Sequence, residues 1–426
     1  MPRRPCSRPS SSKKTVQCSF SDGQALDWIR DIKTGQLQFI LFDGAKYAIA
    51  EMIQIGDQTF DPPVLDPAIL NAVTLASEPL DYETTQKLFE DTCEVLTNHG
   101  IADEVARAAS YFVFATWFTD THRPAPGLVF TGPPAEANLL LQLLALVARR
   151  GVVLVEADSR SLCELVECIH PTLLIDSRNF TSRSLRMLLG SRVPRAYVGR
   201  KGSVANFASA AAIYLDQAHG KIRPDFSLSL NLPPSRGAIS FVSNLEREKI
   251  IGTFQPKFLA YRLRNWDRVR QASFELPSVD AETRMVSEIF GACILDAPDI
   301  QAGVASILET HEAAVQDAQW TDLTCVTIEA LFYACHQPGS GKIYVREITD
   351  QTSAILRARG TPLDLEPRAV GASLRRLGFA PKRDERGFGI RLTPAVARAI
   401  HMLAFNYSVA TVQNNVGHCE LCTEIF

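Results

Sequence analysis

The chain has 426 residues, 46% hydrophobic and 21% charged, with a formal net charge of −3. This is globular composition, long enough for two or three domains and a sizeable core. The near-neutral balance excludes a global pull towards nucleic acid or membrane, so any basic surface must be local. No apolar run approaches the ~18 residues that span a bilayer.

The chain begins "MPRRPCSRPSSSKK", basic and rich in Pro and Ser, with no apolar segment after it. We expect a disordered, solvated tail over 1–17 and no secretory leader. Ten scattered cysteines fit free, mostly buried thiols in a reducing cytoplasm better than a disulfide framework. "QALDWIRDI" reads as a short amphipathic helix. "QLQFILFDGAKYAIAEMIQIGDQTF" carries two apolar runs around Asp43-Gly44, the signal of a hairpin. Residues 18–74 are therefore expected to form a small β-containing module.

The period then changes to 3.6. Leu88, Phe89, Cys93 and Leu96 mark an amphipathic helix stopped at Gly100, and "IADEVARAASYFVFATWFTDTH" predicts a second, buried one. From Gly127 onward strands and helices alternate: "GLVFT", a helix over 135–149, "GVVLVEA", "SRSLCELVECI", "PTLLID", "SRSLRMLLGS", "RAYVG" and "AAIYLD". That alternation predicts a parallel α/β sheet, and its unbroken apolar strands predict cover on both faces. Further on, "GAISFVSN" reads as a strand, followed by helices in "QPKFLAYRLRNWDRVRQASF", "AETRMVSEIFGACIL" and "DIQAGVASILETHEAAVQDAQW".

The last hundred residues predict helix, strand, helix, short helix, hairpin and helix, which is the order of a winged helix. The expected organisation is a tail at 1–17, the β-containing module at 18–74, a P-loop NTPase-like α/β core with leading helices at 75–255, a helical linker region at 256–318, a winged-helix domain at 319–410 and a Cys-x-x-Cys tail at 411–426.

"GLVFTGPPAEANLLLQLL" has the setting of a phosphate-binding loop, a strand, a glycine turn and a helix. Such a loop needs G-x-x-x-x-G-K-[ST]. Gly132 holds the first glycine position, but Ala137, Asn138 and Leu139 stand where the second glycine, the lysine and the hydroxyl belong. Amides that wrap phosphates, a neutralising cation and a Mg²⁺ ligand are thereby lost. Glu136 would repel an anion at the helix start. "PTLLIDS" resembles a Walker B strand ending in Asp176, with Ser177 where an active ATPase carries glutamate. The residues support a vestigial nucleotide site at Gly132, Asn138 and Asp176 and no catalytic residue. They require no cofactor and leave weak ATP–Mg²⁺ contact open.

"GPPAEANLLLQLL", "PTLLID", "FQPKFLAYRLRNWDRVR", "EPRAVGASLRRLGF" and the terminal "CELC" resemble a group of uncharacterised bacterial proteins. Those look like degenerate relatives of P-loop helicase-like ATPases of phages and mobile elements. The resemblance covers the chain from about residue 75 and implies a RecA/AAA+-like core, a C-terminal DNA-binding-type domain and no established activity.

In a winged helix the third helix enters the major groove and the wing touches backbone. The candidate DNA contacts are Arg368, Arg375 and Arg376 on the helix, and Lys382, Arg383 and Arg386 on the wing, where Asp384 and Glu385 dilute the charge. The alternative is docking of a protein partner. A second cationic run, Arg262, Arg264, Arg268 and Arg270, reads as a charged helix face beside core Phe258, Leu259, Leu263 and Trp266, or as a phosphate track. "GHCELC" places His418, Cys419 and Cys422 together, half of a common zinc site. Cys335 and His336 in "ACHQ" are candidates for the other half, although adjacent ligands depart from the usual spacing. His170, His311 and His401 stand alone and are assigned structural roles. A DNA-associated pseudo-ATPase is the function these features favour. An active helicase-like ATPase with a nonstandard loop and a protein-interaction subunit are its alternatives.

Overall fold

The computed structural model describes residues 25–55, 58–121, 125–157, 159–180, 195–198, 204–207, 209–216, 227–235, 241–276, 281–320, 322–337, 341–361, 363, 365–407, 409 and 419–425. The tail expected at 1–17 lies outside them. The chain divides into two compact units, 1–311 and 312–426.

The first unit starts with an antiparallel sheet of β1 (Ala25–Arg30), β2 (Leu37–Phe42) and β3 (Tyr47–Ala50). The helix expected at "QALDWIRDI" is thus a strand. Residues 25–29 are all buried, Asp27 included, so neither face is the polar face an amphipathic helix needs. The Asp-Gly hairpin forms as expected. Gly44 takes φ +95°, and the Asp43 carboxylate accepts the N–H groups of Ala45 and Lys46 at 2.9 and 2.7 Å. A smaller hairpin, β4 (Ile53–Ile55) and β5 (Gln58–Phe60), and the short helix α1 (Pro67–Ala72), capped by Asp66, follow. The two helices read from the 3.6 period are α2 (Thr85–Thr97) and α3 (Asp103–Thr116), and α3 is buried along most of its length.

The α/β core comprises β6 (Gly127–Thr131), α4 (Pro134–Val147), β7 (Gly151–Leu154), α5 (Ser159–Ile169), β8 (Thr172–Asp176), β9 (Arg195–Val198), β10 (Val204–Phe207), β11 (Ala211–Tyr214) and β12 (Leu228–Asn231). Five of these strands form one parallel sheet in the order β12-β6-β11-β8-β7. β9, expected from "RAYVG", pairs antiparallel with β10 outside that sheet. The helix expected at "SRSLRMLLGS" lies outside the described residues. Part of "GAISFVSN" also lies outside them, and Phe241–Ser243 are not strand. β12 and β7 are the edge strands, and β12 has the weakly apolar sequence Leu-Ser-Leu-Asn.

Strand pleating divides this sheet between two cores. Leu128, Phe130, Leu174, Ala212 and Tyr214 join the core shared with α3 and α4, while Val129, Leu173, Ile175, Ala211 and Ile213 pack with Leu162 and Val166 of α5. The unbroken apolar strands are therefore explained by cover on both faces. The unit continues with the 28-residue α6 (Asn244–Gln271), opened by a Ser243–Glu246 capping box. α7 (Ala281–Gly291) and α8 (Pro298–Trp320) come next.

The second unit contains α9 (Leu323–Cys335), β13 (Lys342–Tyr344), α10 (Val345–Ala358), α11 (Pro367–Arg376), β14 (Lys382–Asp384), β15 (Gly387–Arg391), α12 (Pro394–Asn406) and α13 (Glu420–Ile425). Its strands form a small antiparallel sheet in the order β13-β15-β14. Ile328, Leu331, Ile343, Ile348, Val370, Leu374, Ile390 and Ile400 build its core. Among the described residues no helix is long and apolar enough to cross a membrane.

Candidate functional site

In an open parallel sheet, ligands bind beyond the carboxyl ends of the strands where the strand order reverses. Here that crevice lies beyond β6, β11 and β8. The register sets Tyr214 beside Phe130 on one side and Asp176 on the other. Gly132 and Asp176 thus come to the same end of the sheet, as the motif reading requires.

The residues around this end of the sheet are engaged by the protein itself. Gly132 has φ +128°, and a Cβ added there would lie 2.5 Å from the carbonyl oxygen of Leu232. The glycine is demanded by the chain leaving β12, whose Leu232 N–H donates to the Thr131 carbonyl at 2.9 Å. The Tyr214 hydroxyl donates to the Gly132 carbonyl at 3.1 Å. Glu136 is buried in the first turn of α4, where it accepts the Ser235 N–H at 2.7 Å. A carboxylate therefore sits at the helix end that would otherwise attract an anion. Ala137 and Leu139 are buried in the core, and Asn138 lines an open cavity of about 280 Å³ with Pro134, Gln142, Arg178 and Phe241.

Asp176 is equally committed. Arg178, two residues on, donates Nε to both of its carboxylate oxygens at 2.9 and 3.0 Å, and a terminal nitrogen completes the fork. The Arg178 backbone N–H adds a bond at 3.1 Å. Burial pushes the Asp176 carboxyl up, but the Arg178 hydrogen bonds and charge outweigh this and hold it below the ordinary carboxylate value. Ser177 is fully buried, and its hydroxyl accepts the Asp216 N–H at 3.2 Å. Neither Arg178 nor Ser235 was singled out in the sequence. The signal for Arg178 was present in "DSR", a cation two residues after a strand-ending aspartate.

The cationic run on α6 is absorbed by the fold. Arg262 is 1% exposed and donates to Asp27 at 2.8 Å and to Asp120 at 2.7 and 2.8 Å. Arg264 pairs with Asp81, Arg268 with Asp296 and Arg270 with Asp267. Trp266 is buried, with its ring N–H on Asp120. Arg264, Arg268 and Arg270 form a charged helix face, and Arg262 is instead buried in an ion-pair network.

In the second unit, Arg368, Arg375, Arg376, Lys382, Arg383 and Arg386 are all exposed. None of their side chains forms an ion pair with another described residue. At 3.6 residues per turn, Arg368, Arg375 and Arg376 fall within an arc of about 100° on α11, away from buried Val370 and Leu374. On the β14–β15 hairpin, Asp384 is engaged by Lys342 and by the Tyr344 hydroxyl, so this acid is partly neutralised locally. Phe388 on the same hairpin is 51% exposed.

The cysteines at the end of the chain meet two histidines. Ligand atoms of His336, His401, Cys419 and Cys422 all lie within 4.8 Å of one another, a set that can hold a metal ion. His336 Nε2 is 3.2 Å from Cys422 Sγ and 3.2 Å from His401 Nε2, and Cys419 Sγ is 3.4 Å from His401 Nε2. The expected partners are thus half right. His336 joins the group and Cys335 does not, while His401, assigned a structural role, takes the fourth place. His418 lies outside the described residues. His401 was missed because it stands 65 residues from His336 and 18 from Cys419, and no local spacing signals it.

No family model and no curated protein matches the chain. Among solved structures it is similar to a full-length MCM homologue from Methanopyrus kandleri, at 11% identity over 67% of this chain and 76% of that one, with a TM-score of 0.36. It is also similar to the NrS-1 C-terminal region in its A-form apo structure, at 9% identity over 86% of this chain and 96% of that one, with a TM-score of 0.32.

Proposed function

We propose that this chain is a DNA-associated pseudo-ATPase, in which a P-loop NTPase-like core serves as scaffold and the second unit, read as a winged helix, engages duplex DNA. The observation that carries the first half is the engagement of both motif carboxylates by the protein itself. Asp176 is forked by Arg178, and Glu136 occupies the start of α4. A guanidinium stands where Mg²⁺ would be organised, and a carboxylate stands where phosphate would be received. Hydrogen bonds to charged groups contribute about 1.5–3 kcal/mol each. Losing the lysine and the wrapping amides leaves ATP–Mg²⁺ binding weak and hydrolysis without its machinery.

The DNA half rests on six exposed cations on one short helix and one hairpin, none in an ion pair with another described residue. In this reading Arg368, Arg375 and Arg376 enter the major groove, and Lys382, Arg383 and Arg386 meet the backbone. We read the role as mobile-element or replication related and cytoplasmic, a reading supported by the resemblance to helicase-like proteins of phages and mobile elements. Exposed Phe388 favours a second reading, in which the hairpin docks a protein partner.

Calorimetry with ATP–Mg²⁺ and anisotropy with a short duplex test both halves. We expect no micromolar ATP affinity, and duplex binding that is lost in Arg375→Glu/Arg376→Glu. Micromolar ATP binding that disappears in Asp176→Ala would overturn the pseudo-ATPase reading. Duplex binding indifferent to the double substitution would overturn the DNA reading in favour of a protein partner.

A further inference from the structure

We propose that His336, His401, Cys419 and Cys422 form a structural zinc site that clasps helix α13 to α9 and α12. This inference is independent of the DNA reading and draws on other residues of the same unit.

The geometry is the first argument. A tetrahedral ion with the usual Zn–N and Zn–S lengths sets two nitrogens about 3.3 Å apart and a nitrogen and a sulfur about 3.5 Å apart. The observed separations are 3.2 Å between the two Nε2 atoms, and 3.2 and 3.4 Å for the two N···S pairs. Two imidazoles and two thiols at these distances match a closed His₂Cys₂ set, whose softness and shape suit zinc.

The histidine tautomers are the second, separate argument. His336 Nδ1 lies 2.8 Å from the Phe332 carbonyl, and His401 Nδ1 lies 2.8 Å from the Ala397 carbonyl. A carbonyl only accepts, so each Nδ1 is the protonated nitrogen. Each neutral ring then presents the Nε2 lone pair, and the two lone pairs face one another. A cation between them resolves that opposition. Backbone carbonyls holding the second ring N–H are the usual outer shell of a ligating histidine. The Phe332 ring lies edge-on to both imidazoles, at centroid distances of 4.5 and 5.1 Å, and fixes their planes.

The third argument is the helix itself. α13 has six residues and no fully buried side chain. Isolated helices shorter than about 12–15 residues are marginal in water. Among the described residues, and outside the proposed ligands' own contacts, its side-chain attachments are Cys422 packing at the edge of the core and the exposed Arg398–Glu424 pair. Such pairs contribute little. A metal bond through Cys419 and Cys422 supplies the missing anchor, since metal binding free energy is folding free energy.

The test uses the full chain, purified under reducing conditions and stripped with a chelator. On titration with zinc alone we expect one ion bound per chain. With cobalt(II) in its place we expect the absorption of a tetrahedral ion, including a thiolate-to-metal band. Cys422→Ser and His401→Gln should each abolish stoichiometric binding, and Cys335→Ser should retain it. A wild-type chain that binds neither ion stoichiometrically would overturn the proposal and leave hydrogen-bonded thiols. So would a cobalt spectrum without the thiolate band, or binding that survives Cys422→Ser but not Cys335→Ser. If the ligand variants fail to fold, the wild-type cobalt spectrum alone decides.

Discussion

Gly132 illustrates how one residue can suggest a chemistry it does not perform. Its positive φ and the close Leu232 backbone make glycine obligatory for packing alone. Gly132→Ala is therefore expected to cost about 2 kcal/mol or more of stability, read as a lowered urea midpoint, whether or not nucleotide is present. His170 carries a second residue-scale prediction. Burial, followed by the charges of Arg150 and Arg149, pushes its imidazole down to about 4. The folded chain thus keeps His170 neutral where the unfolded chain, near 6.5, takes up a proton. Its contribution is fully present above about pH 6.5 and is lost as pH falls towards 4, an effect of about 1–3 kcal/mol. His170→Asn, which tolerates the left-handed φ of 45° at this position, should flatten the stability slope over that window. An unchanged slope would refute it.

Among the elements, β1 shows why part of the fold was illegible. Asp27 accepts from Arg149 at 3.0 Å, from Arg150, and from Arg262 at 2.8 Å, partners 122, 123 and 235 residues away. Burial pushes the Asp27 carboxyl up, yet these three cations hold it well below the carboxylate range. A charged residue in the middle of "ALDWIR" looks like the polar face of a helix until its distant partners are in place. Asp27→Asn leaves buried guanidiniums uncompensated and should cost about 3–5 kcal/mol in urea unfolding. The core strands were legible because "GLVFT" and "PTLLID" are apolar on both faces, a property local to the segment. β12 was not, because Leu-Ser-Leu-Asn at a sheet edge needs less apolar surface than a central strand. The candidate metal set was half legible for the same reason. Cys-x-x-Cys is a local spacing, whereas His336 and His401 are brought to it by two other helices, α9 and α12.

Across the whole molecule, the cations proposed to meet DNA all lie in the unit 312–426, and the Asp176–Arg178 fork lies in the unit 1–311. Binding by the full chain should then weaken with salt in proportion to the phosphates neutralised. Substituting Lys382, Arg383 and Arg386 together by Ala should reduce the log–log salt slope by roughly 2–3 while leaving sequence preference unchanged. A slope that stays the same would move the hairpin off the DNA.

α6 has a consequence for how the first unit comes apart. Gln255 donates to the carbonyls of Leu146 and Ala148, Phe258 stacks on Trp117 at 5.6 Å, and Tyr261 donates to Cys293. Arg262 reaches Asp27, so one continuous helix touches α4, the leading helices and the first strand. No one of these layers can open while that helix stays formed and paired. The amides of residues 258–266 should accordingly exchange with deuterium only when the entire unit opens, with a protection free energy equal to its global stability. Faster exchange there would mean that the helix can loosen piecemeal, and that the layers around it answer to separate transitions.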